Sequence, residues 1–93
     1  MTSAVNEKTI TRRLRRACMA REVLLVRLIP SHAGMPDYMI IKGGKLVFVE
    51  TKRPGGEARP VQIAYIELLK KYGMKTFIVD SDEKITEAID AIA

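Results

Sequence analysis

The sequence predicts an α/β fold: a mixed four-stranded sheet flanked by helices. Three observations predict it. Tyr38 to Thr51 reads as a β-hairpin, two β-prone stretches around the turn pair Gly43-Gly44. Both faces of that hairpin are apolar, with Met39, Ile41, Leu46 and Phe48 on one side and Ile40, Val47 and Val49 on the other, so both faces need cover. Downstream, a helical stretch lies between two strands, and such a βαβ unit pairs its strands in parallel through a right-handed crossover. The full order is αβββαβα, with no internal repeat, second domain or low-complexity linker, so residues 1–93 are expected to form a single domain.

Ser3 to about Glu22 is expected to be the first helix, because Ile10, Leu14, Ala17 and Cys18 recur at helical spacing and make one apolar stripe. Lys8, Arg12, Arg13, Arg15, Arg16 and Arg21 cover much of its remainder. Glu7 falls on the apolar side near the helix start. Val23 to Ile29 is an apolar strand interrupted only by Arg27. Pro30 to Met35 is a loop, restricted by Pro30 and Pro36, in which Gly34 permits close backbone approach and His32 reads as an exposed bystander. After the hairpin, Arg53 to Arg59 (RPGGEAR) is a Gly-rich loop. Pro60 to Tyr72 is the second helix, with Pro at its first position, Gly73 just past its end, and an apolar stripe of Val61, Tyr65, Leu68 and Tyr72 widened by Ala64 and Leu69. Lys75 to Val79 is the fourth strand, and Asp80-Ser81-Asp82 leads into an extra C-terminal helix with Ile85, Ala88, Ile89 and Ile92 on one face.

The hairpin register carries the chemistry. With the turn centred on Gly43-Gly44, Lys42 faces Lys45, Ile41 faces Leu46, and counting outward Tyr38 faces Val49 and Asp37 faces Glu50. Lys52 lies two residues on, on the same face as Glu50. Opposed residues have Cβ atoms about 5 Å apart. Two carboxylates at ~5 Å repel by about 3 kcal/mol at an effective dielectric of ~20, a large share of a small domain's stability. A divalent cation between Asp37 and Glu50 converts that repulsion into coordination by hard oxygens, and Lys52 can then hold a water or stabilise phosphate charge. The competing reading is two solvated strand-end acids neutralised by Lys52. A one-residue slip in register would separate the acids to opposite faces.

Bulk properties narrow the function. The chain is 47% hydrophobic and 29% charged, ordinary for a folded soluble protein. No apolar run approaches the ~20 residues that span a bilayer, and the polar N-terminus is not a signal peptide. One cysteine, Cys18, and one histidine exclude an intramolecular disulfide and give no support to a zinc site or a catalytic thiol; the expected location is a reducing cytoplasm. The net charge of +5 is concentrated in residues 1–28, which carry seven Lys or Arg against two Glu, whereas residues 29–93 carry nine of each sign. A basic first helix suits a polyanion such as nucleic acid, with Arg12, Arg13 and Arg16 on the helix and Arg53 and Arg59 in the Gly-rich loop as candidate phosphate contacts. The acids of the last helix, Asp82, Glu83, Glu87 and Asp90, are expected to keep that side away from DNA.

Gly34-Met35-Pro36-Asp37 followed by Glu50-Thr51-Lys52 resembles the PD-(D/E)xK nuclease signature. With the Gly-Gly hairpin, Val-Phe-Val-Glu-x-Lys, Arg59-Pro60-x-Gln62 and Val79-Asp80-Ser81, the chain from its first helix to Ser81 is similar to the virus-type replication-repair nuclease domain, VRR-NUC. The resemblance implies a restriction-endonuclease-like αβββαβ core and a metal-dependent endonuclease acting on DNA. Asp37 and Glu50 would bind Mg²⁺ or Mn²⁺, joined by the backbone carbonyl of Thr51. Lys52 would orient the attacking water, and Gln62 would help position water or phosphate. Glu7 is either a third metal-directed carboxylate, as the resemblance implies, or a first-turn acid complementing the helix dipole. Stand-alone domains of this type are expected to be homodimers that resolve Holliday junctions or other branched DNA. The alternatives are a non-catalytic nucleic-acid-binding module and a structural or antitoxin-like subunit. Neither of these needs Asp37, Glu50 and Lys52 together.

Overall fold

The computed structural model describes residues 5–93. Within them the elements follow the expected order: α1 (Glu7–Ala20), β1 (Leu24–Arg27), β2 (Tyr38–Lys42), β3 (Lys45–Thr51), α2 (Pro60–Lys71), β4 (Thr76–Val79) and α3 (Asp82–Asp90). The strands form a mixed sheet in the order β1-β2-β3-β4, antiparallel through the first three and parallel between β3 and β4.

Local chemistry accounts for the boundaries. Asn6 caps α1 by accepting the Thr9 N–H at 2.9 Å. The helix therefore starts at Glu7, and Ser3, where the sequence suggested a start, lies outside the described residues. Ser81 caps α3 in the same way, through Lys84 N–H at 3.2 Å. Strand β1 is shorter than the predicted Val23–Ile29, because β2 begins only at Tyr38; beyond Arg27 the pairing continues in the single bond from Leu28 N–H to Asp37 O at 2.8 Å. Gly43 and Gly44 both adopt positive φ (59° and 78°), which matches the twist of a two-residue hairpin and holds the register. That register is the expected one, Lys42↔Lys45 through Tyr38↔Val49.

The two faces of the sheet are covered unequally. Ile40, Val47 and Val49 pack with Ile10, Leu14 and Cys18 of α1 and with Ile85, Ala88 and Ile89 of α3, all of them buried. On the opposite face Met39, Ile41, Leu46 and Phe48 are only half-buried, and Leu24 and Ile78, which share that face, are 59% and 37% exposed. Helix α2 lies on this second side and its strand contacts are chiefly to β4. Its orientation departs from the expected apolar stripe. Val61, Leu68 and Tyr72 point outward at 41%, 46% and 74% exposure, while Gln62 is buried and Tyr65, Ile66 and Leu69 are half-buried. The physical cause is a polar anchor: Gln62 turns inward to a buried carboxylate, and the rest of the helix rotates with it.

Helices α1 and α3 lie side by side, and the acids of α3 meet Arg13 of α1 and Arg21 at its C-cap. Arg21 Nη2 is 3.0 Å from Asp90 Oδ1, and Arg13 Nη1 is 3.8 Å from Asp82 Oδ2. Both pairs are exposed and worth at most about 1 kcal/mol each. None of the described helices is long and apolar enough to cross a membrane.

The fully buried Leu14 anchors the α1 side of the core. Leu14→Ala is expected to cost about 3 kcal/mol in urea unfolding, whereas Met19→Ala, at a position 75% exposed on the same helix, should change stability by no more than about 0.5 kcal/mol.

Candidate active site

At the rim where β2 ends and β3 runs on toward α2, the sheet's apolar residues give way to Asp37, Glu50, Thr51 and Lys52. Glu50 is the centre of this group. It is 3% exposed, and its Oε2 accepts from Gln62 Nε2 at 2.7 Å and lies 3.3 Å from Lys52 Nζ. Its Oε1 is buried without a hydrogen-bond partner. Burial is the main influence raising the Glu50 pKa above its ordinary value; the negative charge of Asp37 adds to it, Lys52 opposes both, and Glu7 contributes last.

The orientation of Gln62 follows from its place in α2. Its Oε1 accepts the Arg59 N–H at 2.8 Å at the helix start, so its Nε2 is the end that donates to Glu50. The loop before β2 sets the depth of this helix end. Gly34 adopts φ +87°, and a Cβ there would stand 2.3 Å from Val61 O. Only glycine lets the loop backbone press this closely against the first turn of α2. His32 lies beside Tyr65 of α2, with ring centroids 6.3 Å apart, and its Nδ1 shares a hydrogen bond with Ser31 Oγ.

Asp37 is oriented by Thr51, through a side-chain and amide role that the sequence did not indicate for this residue. Its Oδ2 accepts both the Thr51 N–H at 3.2 Å and the Thr51 hydroxyl at 2.9 Å. Thr51 therefore positions a carboxylate through its side chain and amide, in addition to the carbonyl role expected of it. The hydroxyl between Glu50 and Lys52 was visible in the sequence, but its target depends on how the chain before β2 turns. Asp80 provides a similar tether, accepting the Gly55 N–H at 3.3 Å and holding the loop that follows Lys52.

Asp37 and Thr51 also line a cavity of about 280 Å³ on the α1 side of the rim, with Glu7, Thr11, Arg27 and Pro30 among its walls. Glu7 is exposed at this cavity and not on the buried stripe predicted for it; a first-turn residue ahead of Ile10 sits beyond the edge of the core. Among the described residues no three His, Cys, Asp or Glu side chains cluster closely enough to form a metal centre by themselves. A cation held by Asp37 and Glu50 thus requires backbone or water oxygens to complete its shell. The bare, buried Glu50 Oε1 fits that requirement: an unpaired carboxylate oxygen in a dry site is costly until a cation or donor reaches it.

The candidate DNA contacts are exposed on two elements. Arg12 and Arg16 are exposed on α1, Arg13 is half-buried toward Asp82, and Arg53 and Arg59 are exposed on the loop after Lys52.

No protein-family model matches the chain. A phage protein described as putative nuclease p44, from Acyrthosiphon pisum secondary endosymbiont phage 1, is 33% identical over 55 residues, covering 58% of this chain and 59% of that protein. The match thus spans little more than half of that relative's length. A solved structure described as a VRR_NUC domain superposes with a TM-score of 0.80 at 24% identity, covering 94% of this chain and 97% of the other. The chain has the VRR_NUC fold that its motifs resemble.

The raised pKa of Glu50 sets a pH dependence. Because the folded state holds this proton more tightly than the unfolded state, stability contributed by the neutral form is lost as pH rises from about 4.5 through the folded pKa. In chelator, Glu50→Gln is therefore expected to raise Tm at pH 7.5, with the difference shrinking toward pH 4.5. Gly34→Ala, which forces a positive φ and a backbone clash on this loop, should cost more than about 1 kcal/mol in denaturant unfolding.

Proposed function

We propose that this domain is a divalent-metal-dependent endonuclease that hydrolyses DNA phosphodiester bonds. The observation that carries the proposal is the buried Glu50 carboxylate, with one oxygen held by Gln62 and Lys52 and the other bare, beside an Asp37 oriented by Thr51. The VRR_NUC fold and the nuclease description of the phage relative agree with it.

Asp37 and Glu50 would hold Mg²⁺ or Mn²⁺, with the Thr51 carbonyl and Glu7 as further ligands. When bound, the ion supplies Lewis acidity that acidifies water and offsets phosphate charge. Lys52, 15% exposed and tied to Glu50, keeps its ammonium at the rim, where it orients the attacking water and stabilises charge developing on the phosphate. Gln62 keeps the Glu50 carboxylate turned so that Oε1 remains available. Arg12, Arg13, Arg16, Arg53 and Arg59 would hold the DNA backbone, giving affinity that falls with salt and reads little sequence.

The protein would act in the cytoplasm as a homodimer on branched DNA such as a Holliday junction. Support for dimerisation comes from the half-covered sheet face and the outward stripe of α2. Exposed Val61, Leu68 and Tyr72 and the half-buried Met39 and Phe48 form apolar surface that a second copy would remove from water.

Cleavage of a four-way junction and a matched linear duplex, each with Mg²⁺, Mn²⁺ or EDTA, tests the reading. Asp37→Asn and Lys52→Ala are expected to lower cleavage at least about 100-fold while DNA binding in EDTA persists; normal cutting by either variant would refute the site. Arg12→Ala with Arg16→Ala should weaken binding and reduce the salt slope by about two. Binding without cutting under every metal condition would favour a non-catalytic DNA-binding module.

A further inference from the structure

Ile29 is 89% exposed, more than any other large apolar side chain among the described residues. A lone exposed isoleucine is commonplace; the location of this one is not. It sits between Leu28 and Pro30, both of which line the cavity that holds Asp37 and Thr51. Together with Arg27 these residues shape a second, outward hollow of about 370 Å³ that shares three of its four walls with the first. The segment is also held on both sides. Leu28 N–H donates to Asp37 O at 2.8 Å, and Gly34 seats the following loop against α2. Arg27 is exposed, and among the described residues no carboxylate lies within ion-pair distance of it, although Glu7 and Asp37 share its cavity.

A rigid apolar prong beside an uncompensated guanidinium matches the two parts of a nucleotide, base and phosphate. Resting on the nuclease reading above, we propose that Ile29 and Pro30 form a ledge that receives an unstacked base of the DNA strand adjacent to the scissile phosphate, while Arg27 holds that nucleotide's phosphate. Small apolar side chains wedge between base steps in this way, and unstacking a base from a continuous duplex is costly. The ledge therefore favours DNA whose bases are already unpaired at a branch point, and it provides structure selectivity without base readout. A second copy of the chain is the poorer occupant, because an apolar contact there would leave the Arg27 charge without an anion.

The test uses a four-way junction carrying 2-aminopurine at the branch point, titrated with the protein in EDTA, alongside junction and duplex cleavage with Mn²⁺. Saturating wild-type protein should raise the 2-aminopurine fluorescence, Ile29→Ala should lose at least about half of that rise, and Ile29→Met should keep it. The junction-to-duplex cleavage ratio should fall about tenfold in Ile29→Ala. Cutting by the wild type with an unchanged ratio and unchanged fluorescence in Ile29→Ala overturns the ledge and leaves the nuclease intact. A fluorescence rise that depends on Ile29, with no cutting under any metal, overturns the nuclease and leaves the ledge. Absence of DNA binding overturns both. Dissociation of a dimer by Ile29→Ala in sedimentation would assign the side chain to contact between copies and overturn the ledge.

Discussion

A carboxylate taken out of water needs donors, and the position of Glu50 imposes that demand on everything around it. Gln62 and Lys52 meet it at one oxygen and nothing among the described residues meets it at the other. The unmet half is what makes the site chemically open. The met half is what holds α2 where it is, since Gln62 is the buried residue of that helix. Gly34 and the Arg59 N–H then fix the helix start from either side. Removing the Glu50 charge therefore relaxes both an electrostatic strain and a packing constraint.

That polar anchor explains the lopsided sheet. The α1–α3 side is an ordinary apolar core, with Ile10, Leu14, Ile40 and Val49 fully buried. On the α2 side the helix is turned by its polar residue, leaving aliphatic and aromatic side chains outward. A small domain has little core to spare, so apolar surface left open on the face that carries Glu50 is a substantial concession. It is repaid if a second chain or the substrate completes the surface.

Charge is arranged to match. The arginines of α1 and its C-cap are partly neutralised where α3 meets them, at Arg13 and Arg21, while Arg12 and Arg16 are exposed and have no ion-pair partner among the described residues. Arg27 extends the positive surface around the rim to the cavity beside Asp37. Among the described residues, Lys52 is the cation within ion-pair distance of Glu50. Burial, with the charge of Asp37 added to it, keeps Glu50 above its ordinary pKa even with a lysine in contact.

The sequence alone determined the element order, the hairpin register and the parallel β3–β4 pairing, because each follows from local rules. Two glycines with positive φ set the turn, alternation sets the faces, and a crossover helix sets the strand direction. The meeting of Glu50 and Lys52 was legible for the same reason, since i and i+2 on a strand share a face. Tertiary structure decided the rest. The clamp of Thr51 on Asp37 depends on a turn outside the ladder, and the exposure of Glu7 depends on how far α1 overhangs the core. The rotation of α2 was set by a bond across 12 residues that outweighs the helix's own apolar periodicity, because a buried carboxylate is costlier to leave unpaired than a leucine is to leave in water.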